Sequence, residues 1–254
     1  MPIIQSVERA LAILDLFDEH NAELKMTEIS SRMKLHKSTV HALLKTLQQF
    51  RYIEQNEESG KYRLGMKLLD RSSQVLHSLS INREARPVLT EIARVTGQTA
   101  HLVILDGAEG VYIDKVEGAK AVIKYSRIGR RIPLHCSAVG KVLSAYLPEE
   151  RLRAILRDYR YERHTERTIG SEREFLAELE NVRLHGFATD NEENEPGVRC
   201  VAVPIRGHTG EVIAAVSISM LISRVTEEEF DDYRRLLCEQ AERLSARMGY
   251  GWGR

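Results

Sequence analysis

The chain has 254 residues, with 37 Lys and Arg against 37 Asp and Glu and a formal net charge of zero. That length favours two domains, and the balanced charge excludes a protein whose whole surface binds polyanions, so any nucleic-acid contact has to be a local basic patch. The most apolar run, Val212-Ile213-Ala214-Ala215-Val216, is too short to span a bilayer.

The first residues, Met1-Pro2-Ile3-Ile4-Gln5-Ser6, have neither the basic start nor the apolar run of a signal peptide. Cys136, Cys200 and Cys238 are far apart and form no Cys-x-x-Cys pair. That usage suits a reducing cytoplasm, not a disulfide frame or a zinc ribbon. In chain order, the spacing of Val7, Ala10, Leu11, Leu14 and Phe17 predicts a helix over residues 6–20 with one buried stripe.

Residues 24–47 predict two short helices joined by a tight turn. Thr27 is the expected N-cap of the first, with Glu28 near its positive end and Ile29 and Met33 as its apolar stripe. In the second, Val40, Leu43, Leu44 and Leu47 face inward while Lys37, Ser38, His41 and Lys45 face out, with Thr39 beside them. A buried stripe backing a row of short hydrogen-bonding groups and cations is what a helix reading the major groove requires. Residues 52–55 and 61–64 predict a hairpin around Asn56-Glu57-Glu58-Ser59-Gly60. This completes a winged helix-turn-helix whose wing brings Lys61 and Arg63 to phosphate or the minor groove. Arg32, Lys34, Lys37, Lys45, Arg51, Lys61 and Arg63 outnumber Glu54, Glu57 and Glu58 in this region, a local excess of the kind DNA contact needs. The alternative is a three-helix module that contacts only protein.

Leu69, Ser72, Leu76 and Leu79 predict a helix over residues 66–80. Its narrow seam suits packing against a second subunit, or else it is a connector lying on its own domain. From there the pattern predicts a helix over 84–95, strands over 100–105, 111–116, 121–126 and 131–134, and a helix over 138–146. A helix over 171–185 opens with Ser171-Glu172-Arg173-Glu174 and stops before Gly186, strands follow over 200–205 and 211–220, and a last helix starts at Thr226-Glu227-Glu228-Glu229. The expected fold is α+β: a winged helix-turn-helix over 1–65, this connecting helix over 66–80 and, over 81–254, helices flanking a largely antiparallel sheet in a domain large enough for a pocket.

In that second domain, Gly129 to Lys141 reads as strand, turn of small residues, then helix. The helix start offers unpaired N–H groups and a partial positive charge for a carboxylate, Ser137 adds a hydroxyl for the ligand, and Ala138 and Gly140 allow close approach. Alternation places Ser217 and Ser219 on one face of a strand, where they serve a small polar ligand or else face solvent or a neighbouring strand. Catalysis has a thin basis: His135 and Cys136 are adjacent and expected to diverge, and Cys200 near Asp190 and His185 reads as an apolar filler. A metal or redox switch built on Cys136 and Cys200, with His135, is a rival without a recognised ligand spacing. The acidic run over residues 190–197 reads as a solvated loop. No enzyme activity, cofactor or metal is expected.

Several motifs together resemble the IclR family of bacterial transcriptional regulators along the whole chain. They are Lys37-Ser38-Thr39-Val40, Tyr62-Arg63-Leu64-Gly65, Pro133-Leu134-His135-Cys136-Ser137-Ala138-Val139-Gly140-Lys141, Gly197-Val198-Arg199-Cys200-Val201-Ala202-Val203-Pro204 and Ala215-Val216-Ser217-Ile218-Ser219. Tyr125-Ser126-Arg127-Ile128-Gly129-Arg130-Arg131, Arg163-His164-Thr165-Glu166-Arg167-Thr168-Ile169, Asp190-Asn191-Glu192-Glu193 and Ser245-Ala246-Arg247-Met248-Gly249-Tyr250 are similar to the pectin-degradation repressors that respond to 2-keto-3-deoxygluconate. The turn His135-Cys136-Ser137 and His36 depart from that group. The resemblance implies a winged helix, a linker helix, a GAF-like effector domain, and a dimer or dimer of dimers on palindromic DNA. It also implies a small keto acid held by the turn Ser137-Ala138-Val139 and by Asp190, Cys200, Ser217 and Ser219.

Overall fold

The computed structural model describes residues 3–18, 20–78, 80–121 and 126–251, and the side chains of residues 75–80 fall outside the description. The chain divides into two compact units, Met1–Ser78 and Leu79–Arg254.

The first unit is α1 (Gln5–Leu14), α2 (Met26–Met33), α3 (Lys37–Gln49), the antiparallel hairpin β1 (Ile53–Gln55) and β2 (Tyr62–Leu64), and α4 (Lys67–Ser78). Ile13, Phe17, Leu24, Ile29, Val40, Leu44, Leu47, Ile53 and Tyr62 form its core, each large side chain contributing about 1.5–3 kcal/mol on full burial. Backbone bonds in both directions between Leu24 and Tyr62, at 2.9 and 2.8 Å, tie the loop before α2 to the wing. The wing turns because Asn56 Oδ1 accepts the N–H groups of Glu58 and Ser59 and Gly60 takes φ +66°.

Two details differ from the sequence reading. Helix α1 stops at Leu14 because Asp18 Oδ1 accepts the N–H groups of His20 and Asn21, both at 2.8 Å, folding the chain into a turn. Its predicted stripe also shifts: Ile13 is buried, whereas Val7 and Leu11 are 53% and 58% exposed. Helix α2 is capped at Lys25, not Thr27, since Glu28 in the third helical position reaches back to accept the Lys25 N–H at 2.6 Å.

The second unit is built on a six-stranded antiparallel sheet in the order β5-β4-β3-β8-β7-β6. Its elements are α5 (Ser80–Thr96), β3 (Thr99–Asp106), β4 (Glu109–Val116), β5 (Arg131–Pro133), α6 (Ala138–Ala145), α7 (Glu149–Leu156), α8 (Glu172–His185), β6 (Ala188–Asn191), β7 (Val198–Arg206), β8 (Val212–Leu221) and α9 (Glu227–Arg247). Helices α5 and α9 pack together and on β3, β4, β7 and β8, while α6 packs on the sheet and on α8. Alternation along the strands sends Val103, Tyr112, Ala188, Cys200, Ala202 and Ala215 into the core beneath α6 and α8. Thr226 and Glu229 cap α9 reciprocally, as expected. Helix α7 and strand β6 were not anticipated from the sequence, and the strand predicted over 121–126 falls largely outside the described residues.

Residues 190–197 are not a solvated loop. Asp190 and Glu193 are buried, and Asp190 Oδ1 accepts the N–H groups of Glu193 and Asn194 at 2.8 and 3.3 Å. Glu193 Oε1 lies 2.7 Å from Lys141 Nζ, which also donates to Thr189 O at 2.8 Å and reaches Glu178 at 3.2 Å. Lys141 belongs to α6 and is fully buried, so this ion pair holds the acidic turn against the helix; breaking such a pair costs about 3–5 kcal/mol.

Candidate DNA-reading helix and effector site

Helix α3 presents the expected two-sided pattern. Val40, Leu44 and Leu47 are buried, Leu43 is half-buried, and Lys37, Ser38, His41 and Lys45 are exposed. Lys37, His41 and Lys45 recur every four residues and therefore line one side of the helix. Thr39 is half-buried at its base. In the wing Arg63 is exposed and pairs with Glu54 at 3.2 Å, and Lys61 is half-buried. Among the described residues Lys37, Lys45 and Lys61 have no acidic partner, so their charge is available to phosphate.

The predicted effector residues come together. Ser137, Ala138, Val139, Asp190, Cys200, Ser217 and Ser219 line one cavity, joined by Tyr112 and Ile132. The pairing register explains how residues so distant in sequence meet. Asp190 is opposite Cys200, Cys200 opposite Ser219, and Ser219 opposite Thr99, a single rung across four strands. Ser217 lies two residues away on the same face, opposite Ala202 and His101. Both serines are buried, so they do not face solvent. Cys200 Sγ donates to Ser219 Oγ at 3.1 Å, and the Ser217 hydroxyl makes no hydrogen bond among the described residues.

The start of α6 closes the cavity. Ser137 caps the helix: its hydroxyl accepts the Gly140 N–H at 3.1 Å and donates to Pro133 O at 2.5 Å. That hydroxyl is therefore spent on the fold, which corrects its expected use toward a ligand. The N–H groups of Ala138 and Val139 find no acceptor among the described residues, and they carry the positive end of the helix dipole. Gly140 makes the approach workable. A Cβ there would stand 2.5 Å from Leu134 Cα and 2.6 Å from the carbonyl oxygens of Leu134 and Pro133.

Burial pushes the Asp190 carboxyl up to about 7, against the pull of its two N–H donors, and the nearby Glu193 adds to the rise. The site therefore pairs unpaired N–H donors with a carboxyl that keeps its proton near neutrality, a combination that tolerates an incoming anion. The cavity volume is about 10 Å³, room for roughly one water, so the walls must separate to admit anything larger. A wider cleft of about 430 Å³ opens elsewhere, beside Tyr146, Arg206, Glu242 and Tyr250. Its guanidinium is already engaged, donating to Gly210 O and stacked on Tyr146.

Cys136 and Cys200 do not form the rival metal group. The donors that gather are His135, Cys136 and His164, with one atom of each within 4.8 Å of the others. Residues 134–137 form a bend instead of a strand, so His135 and Cys136 do not diverge as expected. Both His135 ring nitrogens are occupied, by Tyr159 Oη at 2.9 Å and Glu162 O at 3.0 Å, and burial pushes the Cys136 thiol up to about 12. A histidine bonded on both sides beside a protonated thiol reads as a structural hub for the turn. Tyr112 and Ile132 were missed by sequence reasoning. Nothing in their local pattern distinguishes them from core, and only the strand order brings them to the cavity.

Known proteins match both halves of the chain. Residues 73–246 match the family described as bacterial transcriptional regulator IclR C-terminal, and residues 6–57 match the IclR helix-turn-helix domain. The HTH-type transcriptional regulator XynR of Escherichia coli (strain K12) is 55% identical over 250 residues, covering 98% of this chain and 99% of that protein. The regulator KdgR of the same organism is 40% identical over 247 residues, covering 97% and 94%. The crystal structure of Thermotoga maritima IclR matches with a TM-score of 0.81 and 36% identity, over 97% of this chain and 99% of that one. Among the described residues no helix is long and apolar enough to cross a membrane. The relatives are regulators and not enzymes, and with both of its domains matched along nearly its whole length, this chain belongs to the IclR family of bacterial transcriptional regulators.

Proposed function

We propose that this chain is a cytoplasmic repressor that binds a palindromic operator as a homodimer, or a dimer of dimers, and is switched by a small keto acid from sugar-acid breakdown. The first compound to test is 2-keto-3-deoxygluconate. The observation that carries this reading is the cavity lined by Ala138 and Val139, whose N–H groups have no acceptor among the described residues, together with Asp190, Cys200, Ser217 and Ser219. The N–H groups and the helix dipole take the carboxylate. Ser217 and Ser219 bond the neighbouring oxygens, Asp190 bonds a hydroxyl, and Cys200 forms wall. On DNA, Lys37, Ser38, Thr39, His41 and Lys45 enter the major groove while Lys61 and Arg63 meet the backbone. The dimer is supported by apolar side chains that the first unit leaves exposed, Val7 and Leu11 on α1 and Met66 and Leu69 at the start of α4.

A thermal-shift and mobility-shift pair tests the switch. Ligand that binds the native state stabilises it by about 2.7 kcal/mol at a hundredfold excess over Kd, so 2-keto-3-deoxygluconate should raise Tm and release DNA. If it does neither at millimolar concentration while salt-sensitive DNA binding persists, the effector reading is wrong and the regulator stands.

A further inference from the structure

Beside the cavity, two buried polar atoms have no partner among the described residues: Thr99 Oγ1 and His101 Nδ1. An unpaired polar group in the interior is destabilising, so each needs a reason. Both residues are on β3, on the sheet face that carries the cavity. Thr99 is the register partner of Ser219 and His101 that of Ser217. Strand β3 runs between β4 and β8, and on its β4 side His101 is opposite Lys115 while Tyr112 is opposite Val103, two residues along the same face. Tyr112 lines the cavity, and its ring centroid is 5.0 Å from that of His101.

The chemistry of this pair suits hydroxyl groups. The Thr99 hydroxyl can donate or accept. His101 Nε2 lies 2.8 Å from Ser126 Oγ; since that hydroxyl takes either role, Nδ1 is donor or acceptor according to the tautomer. Burial, with Lys115 nearby, pushes the imidazole down to about 3, so it is uncharged at neutral pH. Neither group competes with the start of α6 for a carboxylate. A six-carbon acid anchored by its carboxylate at Ala138 and Val139 outgrows the cavity, and its hydroxyl end needs uncharged partners further along the sheet.

We infer that Thr99 and His101 form a hydroxyl-binding subsite that selects long polyhydroxy acids over short keto acids, an inference that rests on the effector reading above. Isothermal titration of the full-length chain with 2-keto-3-deoxygluconate and with pyruvate tests it, using Thr99→Val and His101→Phe. Each substitution should weaken the six-carbon acid roughly 3- to 10-fold, the range for one neutral hydrogen bond, and move pyruvate by less than about twofold. Thr99→Val removes an unpaired oxygen at constant shape, so the ligand-free Tm should hold or rise, which a merely structural threonine would not do. Should His101→Phe fail to fold, Thr99→Val decides alone. Equal losses for the two acids, or no loss in folded variants, would overturn the subsite and leave the effector reading intact. A natural chain that binds neither acid overturns both.

Discussion

Asp190 combines opposing influences: a buried carboxyl, two N–H donors on one oxygen and a second acid close by, with burial dominant and the pKa raised to about 7 from 3.8. An acid raised in the folded state keeps its proton over a range where the unfolded chain has lost it. The folded state then binds more protons between the two values, so stability contributed here is full below the lower one and declines as pH rises to about 7. Asp190→Asn should flatten that decline in urea titrations between pH 5 and 8. The same proton governs the effector. A ligand carboxylate beside Asp190 favours its neutral form, so Kd for a keto acid should rise above about pH 7, approaching tenfold per pH unit for one linked proton. Asp190→Asn should remove the dependence. A Kd that is flat from pH 6 to 8 in the natural chain would place the carboxylate elsewhere. The raised acid was not legible in the sequence, because its burial depends on a strand, β6, that the polar run Asp190-Asn191-Glu192-Glu193 disguised.

At the scale of elements, α3 and α6 show how differently helices can be read. Helix α3 is amphipathic, so its buried and exposed faces follow from spacing alone. Lys45→Ala should weaken DNA binding on every sequence and lower the slope of log affinity against log salt by roughly one for each phosphate no longer neutralised. Ser38→Ala and His41→Ala should instead change preference between operator variants, by about 1–3 kcal/mol for each base-edge interaction removed. Mobility shifts over a salt series on natural and altered operators separate the two effects; unchanged affinity in all three variants would move the interface to another surface. Helix α6 is buried along its whole length, so it has no solvent face to betray its orientation. Its composition of small residues pointed to close approach. What the approach is to, the Pro133–Leu134 backbone under Gly140, appears only in three dimensions. The ends of α1 and α2 were misplaced for a related reason: side chains of Asp18 and Glu28 bond backbone groups outside the helical repeat.

At the scale of the whole molecule, the exposed apolar side chains of the first unit predict assembly. Leu11→Glu or Leu69→Glu, both at positions more than half exposed, should leave the monomer folded and reduce the mass measured by light scattering toward that of one chain. Operator affinity should fall with it, because two half-sites reward only a linked pair of reading helices. Unchanged mass in both variants would exclude this surface as the dimer contact. From the sequence alone one can read two domains, an amphipathic helix with a cationic face, a wing and, through the motifs of the family resemblance, seven of the residues that meet in the cavity. Those rest on local periodicity, turn chemistry and motifs in order, which tertiary structure need only accept. The rest depended on pairing across the sheet. Register set Asp190, Cys200, Ser219 and Thr99 in one rung, strand order brought Tyr112 and Ile132 to the same wall, and burial inverted the meaning of the acidic turn. Pairings between residues about a hundred positions apart leave no trace in local pattern, because the free energy that selects them belongs to the packed sheet and not to any segment of it.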